Sequence, residues 1–432
     1  MRFFCFLRHA SAALLALALS LVLVASTLPP APARAGYDEL PPFVANGGRL
    51  VPITGTSCAG ASPVLAADAS GAITICWVPF NSRFLIAGAG QVFNSGRTTL
   101  ALSPGNEPAG ANYDVWAIVS AGAPVLCAEG SYWSSTTARS TAVTIPAAAT
   151  GGISNTAALS HCYNGSTDYG TIAANSANYL GSFYVPTAAA TTVSSQTSGA
   201  TTLALAAALT GPGLYEQFYV AVDTGGSLEY ELATAGFGTA TLTVTRGQLG
   251  TSAVAHTSAA VAVAGGQTAV QMAPAYISSG GNNPLVGLFN AYNRIPLAVF
   301  EGDGSSSYTY GTSTWRQAHG LSSNQITILD GLAATPITAA FLDNVQPGSS
   351  NSDFAYIGVE RNWTSGNPGG LIATSAGYSG GESTTVTAAN SWQPLLGLSN
   401  ILALEISNAG TTTFYAARGS GQNWLLAAQL QQ

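Results

Sequence analysis

Apolar and polar positions alternate in short runs along most of this chain, without a helical period. Ile73-Thr-Ile-Cys-Trp-Val78, Tyr113-Asp-Val-Trp-Ala-Ile-Val119 and Asn178-Tyr-Leu-Gly-Ser-Phe-Tyr-Val185 have strand length and either alternate or run apolar. Clusters of Gly, Ser, Pro and Asn between them supply turn chemistry. Phe218-Tyr-Val-Ala-Val222, Leu228-Glu-Tyr-Glu-Leu232 and Ala240-Thr-Leu-Thr-Val-Thr245 read as a second set of strands. Gln325–Leu329, Phe354–Val359, Ile401–Ile406 and Thr412–Ala416 read as a third. Thr201 to Leu209 fits either a strand or a short helix. The pattern predicts an all-β protein: consecutive β-sandwich or jelly-roll-like units with a small β unit between them.

The stretch from Asn290 to Arg316 reads as a hairpin. Leu297 and Val299, then Tyr308 and Tyr310, keep a period of two. Gly302-Asp303-Gly304 between them offers a tight reversal. Tyr292, Arg294, Trp315 and Arg316 flank the predicted hairpin. Aromatic faces stack on sugar rings and guanidinium groups add forked hydrogen bonds, so these four are the candidate ligand-binding residues. The alternative for them is packing of the hairpin onto its own sheet.

Residues 1–35 carry Arg2 and Arg8, an apolar run over Ala12–Val24 and an Ala33-Arg-Ala35 cleavage pattern. They read as a secretory signal peptide, with no stable membrane span after cleavage. The remainder divides into an N-terminal β domain over 36–190, a small β domain over 191–267 and a C-terminal sandwich over 268–432. An Ala-Thr-Ser stretch, Thr187 to Gly199, reads as the linker at the first boundary.

Composition narrows the partners. Only 7% of residues are charged, the net charge is −7, and all 12 basic residues are arginine. No basic run occurs, so nucleic acid is not an expected partner. A polar, uncharged surface suits neutral ligands such as glycans and close packing of identical subunits. Cys58, Cys76, Cys127 and Cys162 remain after signal removal. An even count in an exported chain predicts two disulfides. Of three connectivities, Cys58–Cys76 with Cys127–Cys162 closes the shortest loops.

Three stretches resemble modular fibre or receptor-binding-type proteins of tailed bacteriophages and prophages. The first is Tyr113-Asp-Val-Trp116 with Trp133, Thr137-Ala-Arg-Ser140 and Asn178–Phe183. The second is Leu242-Thr-Val-Thr-Arg-Gly-Gln-Leu-Gly-Thr-Ser-Ala-Val-Ala-His256. The third is Phe289-Asn-Ala-Tyr-Asn-Arg-Ile-Pro296 with Ser307–Tyr310 and Thr314-Trp-Arg316. The resemblance implies an adhesin or structural module that meets a surface glycan or host receptor. It also implies self-association, with a trimer as the expected form. The signal peptide and the four cysteines depart from such virion proteins and favour an exported relative, secreted, periplasmic or on the cell surface, over a virion location.

No catalytic residue, metal site or cofactor is expected. Thr245-Arg-Gly-Gln-Leu-Gly-Thr251 could cradle an anion in backbone N–H groups but reads better as a turn, with His256 at a surface or edge. Glu301-Gly-Asp303 has too few oxygens for a calcium loop. Glu301, Asp303, Asp330, Asp343, Glu360 and Glu405 are candidates for a glycosidase pair only by being acidic. No G-x-S-x-G elbow, phosphate loop or dinucleotide fingerprint is present. The expected function is therefore an exported glycan-recognising adhesin or structural protein and not an enzyme. The alternatives are a secreted polysaccharide depolymerase and a purely structural virion fibre or decoration protein.

Overall fold

The computed structural model describes residues 46–144, 152–272, 281–348, 354–369, 373–376, 383–408, 411–418, 421–422 and 424–432. The expected signal peptide lies outside them. The described residues are all-β, with two single-turn 3-10 segments, Cys58–Gly60 and Ala318–Gly320, and no α-helix. No helix among them is long and apolar enough to cross a membrane.

In the first unit, Asn112–Ser120 lies between Ala123–Glu129 and Asn178–Tyr184 in an eight-stranded sheet. Gly48–Ile53, Thr74–Pro79 and Thr98–Ala101 form a second, three-stranded sheet. Trp77, Trp116, Tyr132, Tyr179 and Phe183 fill the core between them. Both expected disulfides form: Cys58 with Cys76, and Cys127 with Cys162.

The Tyr113-Asp-Val-Trp116 and Thr137-Ala-Arg-Ser140 stretches meet in an ion pair. Asp114, fully buried, receives Nη1 and Nη2 of Arg139 at 2.6 Å each, Ser182 Oγ at 2.7 Å and Trp133 Nε1 at 2.9 Å. The guanidinium stacks on the Trp133 ring at 4.4 Å. Charge-assisted, two-pronged bonds are the arrangement that lets a buried charge survive.

The second unit is a six-stranded antiparallel sheet over Thr191–Gln196, Thr202–Ala204, Phe218–Val222, Glu229–Ala235, Thr241–Gln248 and His256–Val263. A bridge between Val193 and Leu205 joins the two end strands, so the sheet curls into a barrel. Closure removes exposed edges. Thr191–Gln196, expected as linker, is one of the barrel strands and pairs with His256–Val263. Val193 is its one apolar inward residue, too weak a signal to mark a strand. Thr202–Ala204 is strand, not helix.

The third unit is a sandwich. One sheet contains Gln325–Asp330, Gly397–Ser407 and Phe354–Arg361; the other contains Pro296–Glu301, Leu425–Gln431, Ile337–Gln346 and Thr412–Tyr415. Ile326, Ile357, Ile401 and Ala403 from the first face Val299, Phe341, Phe414 and Leu426 from the second. The expected hairpin does not form. Pro296–Glu301 pairs with Leu425–Gln431, and Tyr308–Tyr310 pairs with Thr412–Tyr415. The two runs have the strand period, but their partners come from the far end of the chain. The segment between them turns inward, because Asp303 is held by His319.

Residues 268–290 are shared between units. Thr268–Val270 pairs with Ala69–Ala72, and Leu288–Asn290 pairs with Asn178–Tyr184. Leu285–Val286 runs parallel to Gln325–Asp330, the one parallel pairing among the described strands.

Glu107 sits at the seam between the first unit and the barrel. It is 1% exposed, its backbone oxygen accepts Gly266 N–H, and its Oε2 accepts Ser103 N–H at 2.6 Å. Burial pushes its carboxyl up to about 8, only partly offset by the Ser103 bond. Between the ordinary value of 4.5 and about 8, the folded protein holds a proton that the unfolded chain has released. Stability therefore falls as pH rises through that window. Thermal unfolding from pH 5 to 8 is expected to show the fall, and Glu107→Gln to flatten it; an unchanged slope in the variant would exclude Glu107 as its source.

Candidate functional site

The four candidate ligand residues do not form one patch. Tyr292 is buried, and its hydroxyl accepts the N–H of Ile153 at 2.8 Å. Arg294 Nη1 donates to Ala334 O at 2.9 Å. Their neighbours act alike: Asn290 exchanges two hydrogen bonds with the Leu50 backbone, and Asn293 donates to Asn46 O and Gly48 O. The Asn-Ala-Tyr-Asn-Arg run thus staples the start of the third unit onto the first. Backbone groups of both units are satisfied by its side chains.

Trp315 and Arg316 are successive extended residues and point to opposite faces. Trp315 lies on the outer face of its sheet with Leu402 and Leu404. Its Nε1 donates to Asn367 Oδ1 at 3.1 Å, and Gly358 is close-packed beneath it and Pro368. Around this centre, Tyr356, Trp363 and Ile406 are half-buried, and Phe354 is exposed with its ring edge-on to Tyr356 at 5.0 Å. Tyr356 pairs with Ile406 and Gly358 with Leu404, so these side chains share the outward face. The result is an aromatic platform on a sheet whose other face is core.

Arg316 points inward. Its Nε donates to Glu405 Oε1 at 2.7 Å, and its guanidinium lies 3.8 Å from the Tyr310 ring. Behind it, between the two sheets, lies an acidic cluster; its four acids were among the six acidic candidates, but the sequence neither paired them nor pointed to His319. Glu301, Asp303, Asp343 and Glu405 are all 0% exposed, and His319 is 4% exposed. His319 Nδ1 meets Asp303 Oδ2 at 2.7 Å. Its ring stacks under Tyr308 at 4.1 Å and leans on Trp424 at 5.7 Å. His319 has φ 59°, a left-handed conformation in which histidine is more common than most residues.

Burial dominates the electrostatics. It drives the Asp343 carboxyl well above its ordinary range, with Glu405 adding to the effect. Glu301 is raised in the same way, against the N–H of Asn282, with the charge of Asp303 also raising it. Burial also raises Glu405, opposed by His319 and Arg316. For Asp303, burial is outweighed by the bond to His319, and its carboxyl is lowered.

A signal for this cluster was present. Ile337, Ala339, Phe341, Asp343 and Val345 are successive buried positions of one strand. Glu301 follows Val299 in phase, and Glu405 follows Ala403. An acid on the core phase of an alternating strand must find partners inside. Asp330 and Glu360 lie apart from this group. Asp330 caps backbone N–H groups of Leu332, Ala334 and Thr335, and Glu360 accepts Trp392 Nε1.

The glycine-rich run of the barrel does cradle an anion, and the anion is internal. Gly247 N and Val254 N donate to Glu229, which Arg246 also grips at 2.6 and 2.7 Å. His256, expected at a surface or edge, is 2% exposed and bonds Glu229 through Nε2 at 3.0 Å.

No protein-family profile matches the chain, and no curated protein sequence matches it. Among solved structures the chain is similar to "Structure of Eiger TNF from S. frugiperda", with 12% identity and a TM-score of 0.22. That likeness covers 32% of this chain and 91% of that one. At this level it carries no argument about function.

A cavity of about 210 Å³ lies where the units meet, lined by Leu50, Val51, Pro63, Val270, Leu297 and Arg49. It is smaller than the roughly 300–1,000 Å³ typical of small-molecule sites. Among the described residues, the outer aromatic platform and the inner acidic cluster bring together side chains able to bind a ligand.

Proposed function

We propose that this chain is an exported, non-catalytic binding protein whose C-terminal sandwich recognises a surface glycan through its outer face. The observation that carries this reading is the platform of Phe354, Tyr356, Trp363 and Ile406 around Trp315. Partly exposed apolar groups gathered on one sheet face are a binding feature more often than scattered ones. Flat rings accept the C–H face of a sugar, and the chain's low charge suits a neutral partner. The two disulfides suit an oxidising compartment. The alternative of a depolymerase is disfavoured by burial. The acids that converge are 0% exposed, and a polymer has to reach the carboxylates that cleave it.

A glycan array with product analysis tests the reading. Binding without new reducing ends is expected. Tyr356→Ala and Trp363→Ala are each expected to weaken binding several-fold, about 0.5–1.5 kcal/mol per ring. New reducing ends would replace the adhesin with the depolymerase. Binding that ignores both substitutions would move the site elsewhere.

A further inference from the structure

Three side chains from three separate elements converge between the C-terminal sheets. Asp343 comes from one sheet, Glu405 from the other and His319 from the 3-10 turn. One ligand atom from each lies within 4.8 Å of the others. Neither oxygen of Asp343 makes a hydrogen bond of good geometry, although the residue is 0% exposed and the backbone N–H of Asn344 is near enough to favour its ionised form. Glu405 Oε2 and His319 Nε2 are likewise without partners. Asp303, bonded to Nδ1, places the imidazole proton there and turns the Nε2 lone pair towards Asp343 Oδ2 at 3.9 Å. A carboxylate behind the imidazole is the arrangement that orients metal-ligating histidines.

We propose that His319, Asp343 and Glu405 bind one divalent cation of the zinc type, which fastens the two sheets of the sandwich together. Charge balance supports it. With Glu301 kept protonated by burial, Asp303, Asp343 and Glu405 carry three negative charges when ionised, and Arg316 supplies one positive charge through Glu405 Oε1. A divalent ion at Glu405 Oε2 and Asp343 brings the sum to zero with His319 neutral. Protons on Asp343 and His319 would balance the same charges and are the competing arrangement.

The donor set of one nitrogen and two carboxylates suits zinc or manganese better than calcium, which takes six to eight oxygens. Zinc holds N and O ligands at about 2.0–2.2 Å, so its ligands stand roughly 3.4 Å apart. The ligand atoms, at most 4.8 Å apart, would close by up to about 1.4 Å to meet it. Tyr308 and Trp424 wall the imidazole and keep the site dry. The other His and acid group, Glu229, Glu231 and His256, is already served by Arg246 and provides a control.

The test uses the full chain, stripped with chelator and titrated with zinc alone, then analysed for bound metal after gel filtration. About one zinc per chain and a raised melting temperature are expected. Asp343→Asn should weaken binding at least tenfold, Asp303→Asn by about 10–100-fold, and Glu231→Gln not at all. Cobalt in place of zinc reports on the intact wild-type site through its visible absorption, which does not require Asp343→Asn to fold. Wild-type protein that retains no stoichiometric zinc and shows no cobalt spectrum overturns the proposal. So does zinc retained by Asp343→Asn and lost by Glu231→Gln.

Discussion

Arg139→Ala is expected to destabilise the first unit by about 3–5 kcal/mol, among the largest effects of any single substitution here. The cost comes from what remains. Asp114 is fully buried and would keep only Ser182 and Trp133 as donors after losing both guanidinium bonds. A carboxylate in that position has to ionise without a counter-charge or take up a proton, and both are unfavourable. Arg139 also fills the space between the rings of Trp133 and Tyr179, at 4.4 and 5.2 Å, so its removal loses packing as well. Urea unfolding followed by tryptophan fluorescence measures the change. The double variant Asp114→Leu/Arg139→Met is expected to recover much of the loss, because it removes the stranded charge. A loss below about 1 kcal/mol in the single variant would mean that Asp114 is not ionised beside Arg139.

The second large effect is at the Cys127–Cys162 bridge. It closes a sequence separation of 35 residues, against 18 for Cys58–Cys76. By chain entropy the longer loop contributes about 4 kcal/mol and the shorter about 3 kcal/mol. Cys127 and Cys162 are both 0% exposed, so replacing them with alanine adds a cavity cost. Cys127 stands on the strand next to Asn112–Ser120, where Trp116 is its register partner. Loosening there disturbs the sheet that carries Asp114. Cys127→Ala/Cys162→Ala is therefore expected to lower the melting temperature more than Cys58→Ala/Cys76→Ala. The reverse order would show that the native state, not the unfolded loop, sets the contribution of each bridge.

The resemblance motifs turn out to be structural joints. Asp114 and Arg139 join the large sheet of the first unit to the separate two-stranded ribbon of Trp133–Ser135 and Ala138–Arg139. Arg246 holds Glu229, the internal anion of the barrel, from the neighbouring strand. Asn290, Tyr292 and Asn293 bond the third unit to the first, and Arg294 ties the same run to Ala334 within the third. A polar residue that satisfies buried backbone groups or an opposite charge is as restricted as a ligand contact. In the sequence the two roles look alike, which is why Tyr292 and Arg294 were candidates for ligand binding.

What the sequence determined by itself is the period of two, the turn chemistry and the cysteine spacing. These are local properties, and they were enough for an all-β protein with two disulfides between near neighbours. Partner choice among strands is not local. Pro296–Glu301 finds Leu425–Gln431 across more than a hundred residues because their inward faces complete one core, and no turn between them announces it. The same folding carries Glu301, Asp343 and Glu405 to one place. Their alternation put each of them inside, but only the packing of two sheets face to face decided that they would meet, and around His319.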